Sequence, residues 1–316
     1  MIKDKVKTGV PGLDEMLDGG LIPGRVYAVS GTSGTGKTTL AMQFLLEGVK
    51  SGERVLYIAL DEPPNEVRLN MKSYGWDVGR VQVFDATPDV MSYDRTPVRD
   101  VSTERKVVYF RDLPDTVRLT SEKSPADMTV NTIQELVRQE MKVRKYSRIV
   151  VDSLTSLRFF YIRTSEENAS LISFLRLLSD IGVTSLLTVH LPEVSRPDVE
   201  IHMARGEIRL HKWYDGRGLI RGITVEKYRG SSHDHRLRMI KITSTGVVVK
   251  SPPAEKKTRT ADDQHGAEDR VPDSEELPPP PDDVVQEPVH QPPPDRQDQI
   301  PPAPPGAGQN GTEGGT

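Results

Sequence analysis

The sequence predicts an α/β protein: a mostly parallel sheet flanked by helices, a β-rich C-terminal end and a disordered tail. Three observations predict it. From residue 25 to residue 190, apolar runs of strand length alternate with amphipathic helical stretches, as in a parallel sheet covered on both faces. From residue 207 to residue 250 the helical pattern gives way to successive strand-like runs. Beyond residue 250, proline and acidic residues replace apolar ones.

In chain order, residues 8–24 place glycine and proline around one short apolar helical turn, a structured loop leading into the first strand. Arg25-Val26-Tyr27-Ala28-Val29-Ser30 is rich in β-formers and reads as a buried strand. Gly31-Thr32-Ser33-Gly34-Thr35-Gly36-Lys37-Thr38 follows, and then a helical stretch from Thr39 to Leu46. This is the phosphate-loop pattern GxxxxGKT in the strand–loop–helix context that it requires. The glycines let the backbone curl and turn its N–H groups toward phosphate oxygens, and the helix adds free N–H groups and a positive dipole end. Lys37 supplies a mobile charge for the β- and γ-phosphates, and the Thr38 hydroxyl is a Mg²⁺ ligand. The candidate nucleotide contacts are Gly31, Thr32, Ser33, Gly34, Thr35, Gly36, Lys37, Thr38 and Thr39.

Residues 54–60 form a second buried strand that ends in Asp61-Glu62 and is stopped by Pro63-Pro64. A helix over 66–74 is closed by Gly75, and 80–84 is a third strand. Residues 87–128 are polar apart from Val107-Val108-Tyr109-Phe110 and read as a long loop, with 92–128 an insertion or flap. Residues 129–145 are helical, with Ile133, Leu136, Val137 and Met141 on one face. Residues 148–153 form a strand that reaches a carboxylate at Asp152. Ser165-Glu166-Glu167 caps a helix that turns Leu171, Ile172, Leu175 and Leu178 to the core and ends at Gly182. The next strand is 183–190, and the β-rich end holds candidate strands 207–213, 219–228, 236–243 and 247–250.

The 316 residues include no cysteine, which excludes disulfides and cysteine-based zinc or iron–sulfur sites. The charged N-terminus has no apolar core of the kind a signal peptide needs, and no apolar run approaches the ~18 residues of a membrane span. A soluble cytoplasmic protein without a membrane partner is expected. The net charge of −4 hides an asymmetry: residues 251–316 carry 14 acidic and 5 basic residues, and 15 of the 25 prolines. This segment cannot bury enough surface to offset its ordering entropy, so residues 1–250 are read as the folded domain and 251–316 as a disordered tail. Its proline runs suit either a protein partner or a purely solubilising role.

Other residues complete the expected site. A second acidic group at the end of a buried strand holds Mg²⁺ through water in such sites, and Asp152 fits. Hydrolysis also needs a base or water-orienting group; Asp61 and Glu62 end a strand at the ligand edge, where adjacent side chains point in opposite directions, and Glu62 is favoured. Ile223, Val225, Lys227 and Arg229 alternate, which puts both cations on one side of a strand end. Two such cations suit a phosphate, including one in a neighbouring subunit, though the same spacing fits a solvated edge. His190 ends a strand aimed at the ligand edge, whereas His202, His211, His233 and His235 lack zinc-site spacing.

These residues carry a resemblance. The segments TGVPGLDEMLDGGLIPGRVYAVSGTSGTGKTTLAMQFL, LDEPPNEVRLNMKSYGWDV, RIVVDSLTSL and KYRGSSHDHRLRMIKITSTGVVV resemble the opening and phosphate loop, paired-acid segment, Walker B strand and closing β segment of the KaiC-like branch of the RecA/RadA ATPases. The resemblance spans about residues 6–250. It implies a RecA-like core, Mg²⁺-dependent binding and hydrolysis of ATP, and a homo-oligomeric ring or filament with ATP between subunits. By motif position it implies that Asp61 and Glu62 are the catalytic acids and that Lys227 and Arg229 reach a neighbour's γ-phosphate. The chain also departs from the clock proteins of that branch. It has one ATPase domain where they have two, Asp61 where they have Glu, and His190 where they have a carboxylate. Ala204-Arg205 stands where they carry a phosphorylated Ser-Thr pair, which argues against clock-type autophosphorylation.

Three functions are compatible with this. The favoured one is an ATP-driven oligomeric switch that signals to a protein partner. The second is a recombinase-like or repair-accessory ATPase that binds DNA through residues 191–206, with Arg196 and Arg205; that stretch lacks aromatic residues for base stacking. The third is a nucleotide-binding regulator with little turnover.

Overall fold

Strand residues alternate between two faces of one sheet, and each face buries its own apolar set. The computed structural model describes residues 4–87, 107–113, 129–162, 167–191 and 199–251, all within the unit Met1–Glu255. In chain order the elements are α1 (Leu13–Met16), β1 (Val26–Gly31), α2 (Lys37–Lys50), β2 (Val55–Ala59), α3 (Pro64–Ser73), β3 (Gln82–Asp85) and β4 (Val108–Tyr109). Then follow α4 (Val130–Arg144), β5 (Arg148–Asp152), α5 (Leu154–Tyr161), α6 (Glu167–Ile181), β6 (Thr184–His190), α7 (Val199–Met203), β7 (Gly206–Tyr214), β8 (Leu219–Tyr228), β9 (Arg238–Thr243) and β10 (Gly246–Val249).

The strands form a ten-stranded sheet in the order β10-β9-β8-β7-β1-β6-β5-β2-β3-β4. From β7 to β3 every neighbouring pair is parallel. β8, β9 and β10 extend one edge antiparallel, and β4 closes the other antiparallel to β3. The crossover from β1 leads toward β2, whereas the one from β6 returns past β1 to β7. The crevice beyond the C-terminal end of β1 is therefore the topological switch point, where open α/β sheets bind ligands.

Tyr27, Val29, Tyr57, Ala59, Val150, Leu186, Ile208 and Leu210 join one core with residues of α1, α2 and α3. Their strand neighbours Val26, Ala28, Leu56, Ile58, Ile149, Val151, Leu187 and Val189 join the other with residues of α4, α5 and α6. β10 is tied to α2 through Gln43, whose side chain accepts from Val247 N–H (2.8 Å) and donates to Val247 C=O (3.1 Å). At the N-terminal edge of β5, Arg148 is a buried cation, 2% exposed. Its Nε meets Glu53 at 2.5 Å, its Nη1 donates to the carbonyls of Lys7 (2.7 Å) and Phe44 (2.8 Å), and its guanidinium lies over the Phe44 ring.

The α/β class, the mostly parallel sheet and the β-rich end agree with the sequence reading, and strand limits agree to within about two residues. Four details differ. Residues 154–161 form α5, a helix that the sequence pattern does not predict; Ser153 caps it by accepting from Ser156 N–H at 3.2 Å. Within the expected long loop, Val108–Tyr109 pairs with β3, and Phe110 is fully buried. In α6 Phe174 is buried with Leu171, Leu175 and Leu178, whereas Ile172 is only partly buried, because the i, i+3, i+4, i+7 stripe passes through 174. Finally, β7 and β8 slip register between Glu207 and Ile208, so that Glu207 pairs with Lys227 and Ile208 with Val225. The extra residue sends Tyr228 to the core of Ile223 and Val225 and turns Lys227 to the opposite face. The rest of the 92–128 insertion, the Ser165-Glu166 cap, Arg196 and the 252–316 part of the tail lie outside the described residues.

Candidate functional site

The site is built where β1 hands over to α2. Gly31 ends β1 with φ 152°, and a Cβ there would stand 2.5 Å from the Leu210 carbonyl of β7. Only glycine allows that approach. Gly36, at φ 103°, is the N-cap of α2 and brings no side chain to cap it, so the first N–H groups of the helix face the crevice without a side-chain partner at the cap. Within the loop, the Thr35 hydroxyl donates to Thr32 C=O at 2.9 Å.

A cavity of about 520 Å³ opens there, lined by Ser33, Gly34, Gly36, Lys37, Thr38 and Thr39 of the loop and α2, Asp61 and Glu62 after β2, and Asp152 of β5. Asn70, Met71, Ser73 and Tyr74 of the α3 region, Thr155 and Ser156 of α5, and His190 line its remaining walls. Gly31, Thr32 and Thr35 shape the loop without lining the cavity. Lys37 Nζ donates to the Gly31 and Thr32 carbonyls, both at 2.9 Å. Burial pushes the Lys37 ammonium below its ordinary value, while Asp152 and Asp61 oppose the shift.

Asp152 is 4% exposed and lies on the α2 side of the sheet, sharing strand parity with Val150. The Tyr57 hydroxyl donates to it at 2.7 Å, and the hydroxyls of Thr188 and Thr38 also hydrogen-bond it. Burial raises its pKa, and these three bonds pull it back by stabilising the carboxylate. Tyr57 is held well above its ordinary value, first by burial and then by the Asp152 charge, and so remains a donor. The Asp152–Ser153 peptide is cis.

Both Asp61 and Glu62 line the cavity, so the expectation that only one of them faces it does not hold. The reason is that β2 ends at Ala59, and strand alternation no longer governs residues 61 and 62. Asp61 accepts from the Ser156 hydroxyl. Glu62 accepts from Asn70 Nδ2 at 3.1 Å, and its carboxyl is pushed above the usual range by loss of water and then by the Asp152 charge. His190 is exposed at the cavity, and its backbone N–H donates to Thr155 Oγ1 at 2.9 Å.

Lys227 and Arg229 are not part of this chain's cavity. Tyr228 pairs with Gly206, and Gly206 with Tyr27, near the start of β1. Four residues of β1, roughly 13 Å at ~3.3 Å per residue, separate that end of the sheet from Gly31. Lys227 Nζ donates to the carbonyls of Ile201 (2.5 Å) and His202 (3.1 Å), and Arg229 is exposed. Burial lowers the Lys227 ammonium and the Arg229 charge adds to this, as expected of two neighbouring cations.

Sequence reasoning missed Tyr57, Thr188, Ser156 and Asn70. Tyr57 was visible as a polar-tipped residue in a buried strand, but its partner was not. Thr188 reaches Asp152 only because β6 lies between β1 and β5, a strand order that no local pattern encodes.

The chain is similar to several known proteins. A UPF0273 protein of Pyrococcus horikoshii is 35% identical over 250 residues, 78% of this chain and 93% of the relative. A UPF0273 protein of Thermotoga maritima is 32% identical over 260 residues, covering 79% and 96%. The circadian clock protein KaiC3 of Synechocystis is 29% identical over 73% of this chain and 42% of its own length. The crystal structure of a KaiC-like protein of Pyrococcus horikoshii superposes with a TM-score of 0.61 at 25% identity, covering 78% of this chain and 99% of that one. The family model for the KaiC ATPase matches residues 6–254. With a phosphate loop, a buried strand-end carboxylate and a match over nearly all of the described sheet, this chain belongs to the KaiC ATPase family, whose members are built for ATPase-type nucleotide binding.

Proposed function

We propose that this chain binds Mg²⁺·ATP in the β1–α2 cavity and hydrolyses it as a homo-oligomer that acts as a regulatory switch. The carrying observation is one cavity that gathers Lys37, Thr38, Asp61, Glu62 and Asp152 at the open N-terminus of α2. The donor set suits a hard cation, since Thr38 and Asp152 offer oxygen and touch one another. Among the described residues no three His, Cys, Asp or Glu side chains are gathered to hold a metal by themselves. A site of one carboxylate and one hydroxyl completed by phosphate and water is the usual arrangement for Mg²⁺.

In this reading Lys37 and the N–H groups of the loop hold the phosphates, and Thr38 and Asp152 would hold Mg²⁺, which would neutralise phosphate charge there. Glu62 is the base or water-orienting group, helped by its raised basicity, and Asp61 is fixed beside it by Ser156. Lys227 and Arg229 stand at the sheet edge away from their own phosphate loop, which supports a role at the site of a second copy. The likeness to a protein named for the circadian clock supports the regulatory reading. A single-turnover assay with Mg²⁺·ATP tests it: the wild-type chain should release phosphate, and Lys37→Ala should not. Tight binding without turnover would instead make the chain a nucleotide-binding regulator.

A further inference from the structure

Two cations hold the phosphate loop from outside the cavity. Lys212 of β7 and Arg221 of β8 are paired directly across the hairpin. Lys212 Nζ donates to Ser33 C=O at 2.7 Å, and Arg221 Nε donates to Gly34 C=O at 3.1 Å. Both share strand parity with residues of the α2-side core, Ile208 and Leu210 in β7 and Ile223 and Val225 in β8. Neither lines the cavity, whereas Ser33 and Gly34 do.

A trans peptide is planar, and its C=O points opposite to the N–H of the next residue. A Ser33 carbonyl turned out to Lys212 therefore turns Gly34 N–H inward. A Gly34 carbonyl turned out to Arg221 does the same for Thr35 N–H. The loop contains Gly31, Gly34 and Gly36, all at positive φ, so its backbone has many conformations to lose on binding. An anchor outside the loop removes that loss in advance.

We propose that Lys212 and Arg221 are positioning residues of the nucleotide site, which aim the N–H groups of Gly34 and Thr35 at the phosphates by holding two loop carbonyls outward. The proposal rests on the reading of this loop as the ATP site. The charge of Lys212 reaches as far as Lys37, where it adds to the burial that lowers the ammonium. Direct attraction of phosphate by that charge is the competing explanation, and salt separates the two, because the Debye length falls from ~10 Å at 0.1 M to ~3 Å at 1 M.

The test is calorimetric titration of Mg²⁺·ATP into the full-length wild type, Lys212→Met, Arg221→Met, the double variant and Lys212→Arg, at low and high salt. Each Met variant should bind about 5- to 10-fold more weakly and the double about 30- to 100-fold, as expected for lost hydrogen bonds of roughly 1–1.5 kcal/mol each. The loss should persist at high salt, Lys212→Arg should recover most of it, and Tm should change little, since neither residue belongs to a core. Wild-type affinity in the double variant, or a loss that vanishes at high salt, overturns the proposal while leaving the ATP reading intact. A wild-type chain that does not bind Mg²⁺·ATP overturns both.

Discussion

The β7–β8 hairpin carries a pair of cations at each end, and the two ends face different partners. At one end Lys212 and Arg221 reach the Ser33 and Gly34 carbonyls of their own phosphate loop. At the other, past a register slip, Lys227 turns to the carbonyls of α7 and Arg229 stands exposed, with the length of β1 between them and Gly31. Three of the four lie in the strands, and Arg229 directly follows β8. Their neighbours differ: one pair touches the carbonyls of its own loop, whereas the other stands at the far end of the sheet from that loop.

The largest expected effect breaks or secures the far end. Arg229→Ala should bind Mg²⁺·ATP yet hydrolyse it about 10³- to 10⁵-fold more slowly, as for loss of an arginine finger. Glu62→Gln should also bind without turnover. Mixing the two should restore activity, because some interfaces then pair an intact Glu62 with a neighbour's intact Arg229. Mixed assemblies that stay inactive at every ratio would place the cations in cis or outside the reaction.

Arg148 sharpens the contrast from the structural side. It too lies at the N-terminal edge of the sheet, but it is buried against Glu53 and two carbonyls. Glu53→Ala leaves that charge without its carboxylate and should cost about 3 kcal/mol of stability in denaturant unfolding. Arg229→Ala should cost almost none, because the residue is exposed. Equal losses would erase the distinction between a buried structural cation and an exposed one.

At the near end, Lys37→Met should weaken Mg²⁺·ATP binding by about 10- to 100-fold, from loss of charge-assisted hydrogen bonds worth roughly 1.5–3 kcal/mol. An unchanged affinity in titration would remove the assignment of the loop. The smallest effect concerns Glu62. Its carboxyl is raised above the ordinary value by desolvation and then by Asp152, so the folded state binds more protons than the unfolded one around that pKa. The ionised form therefore costs stability at neutral pH, and the cost disappears as pH falls below the unfolded value. Glu62→Gln should raise Tm slightly at neutral pH, the gain being small because water screens this exposed side chain, and leave it unchanged once the pH is below the unfolded value. The acid limb of wild-type turnover should lie above the ordinary glutamate range, and a limb at or below it would argue against Glu62 as the base.

Much of this was legible in the sequence. Apolar runs of four to six residues and a GxxxxGKT loop are local patterns, and each forms the element it predicts, because a buried strand or a tight glycine turn has few ways to satisfy its backbone. Lys37 and Thr38 could be picked out from the loop motif, and Asp61, Glu62 and Asp152 because each ends or follows a strand at the ligand edge. What the tertiary structure decided is everything that depends on which strands are neighbours. The order β1-β6-β5-β2 puts Thr188 and Tyr57 on Asp152, and the end of strand alternation after β2 lets both acids enter one cavity. The β7–β8 register brings Lys212 and Arg221 to a loop about 180 residues earlier in the chain, and its slip turns Lys227 away from the face that spacing predicted. Side-chain chemistry and periodicity act over a few residues and can be read along the chain. Hydrogen bonds between strands join distant segments, and only the folded sheet determines them.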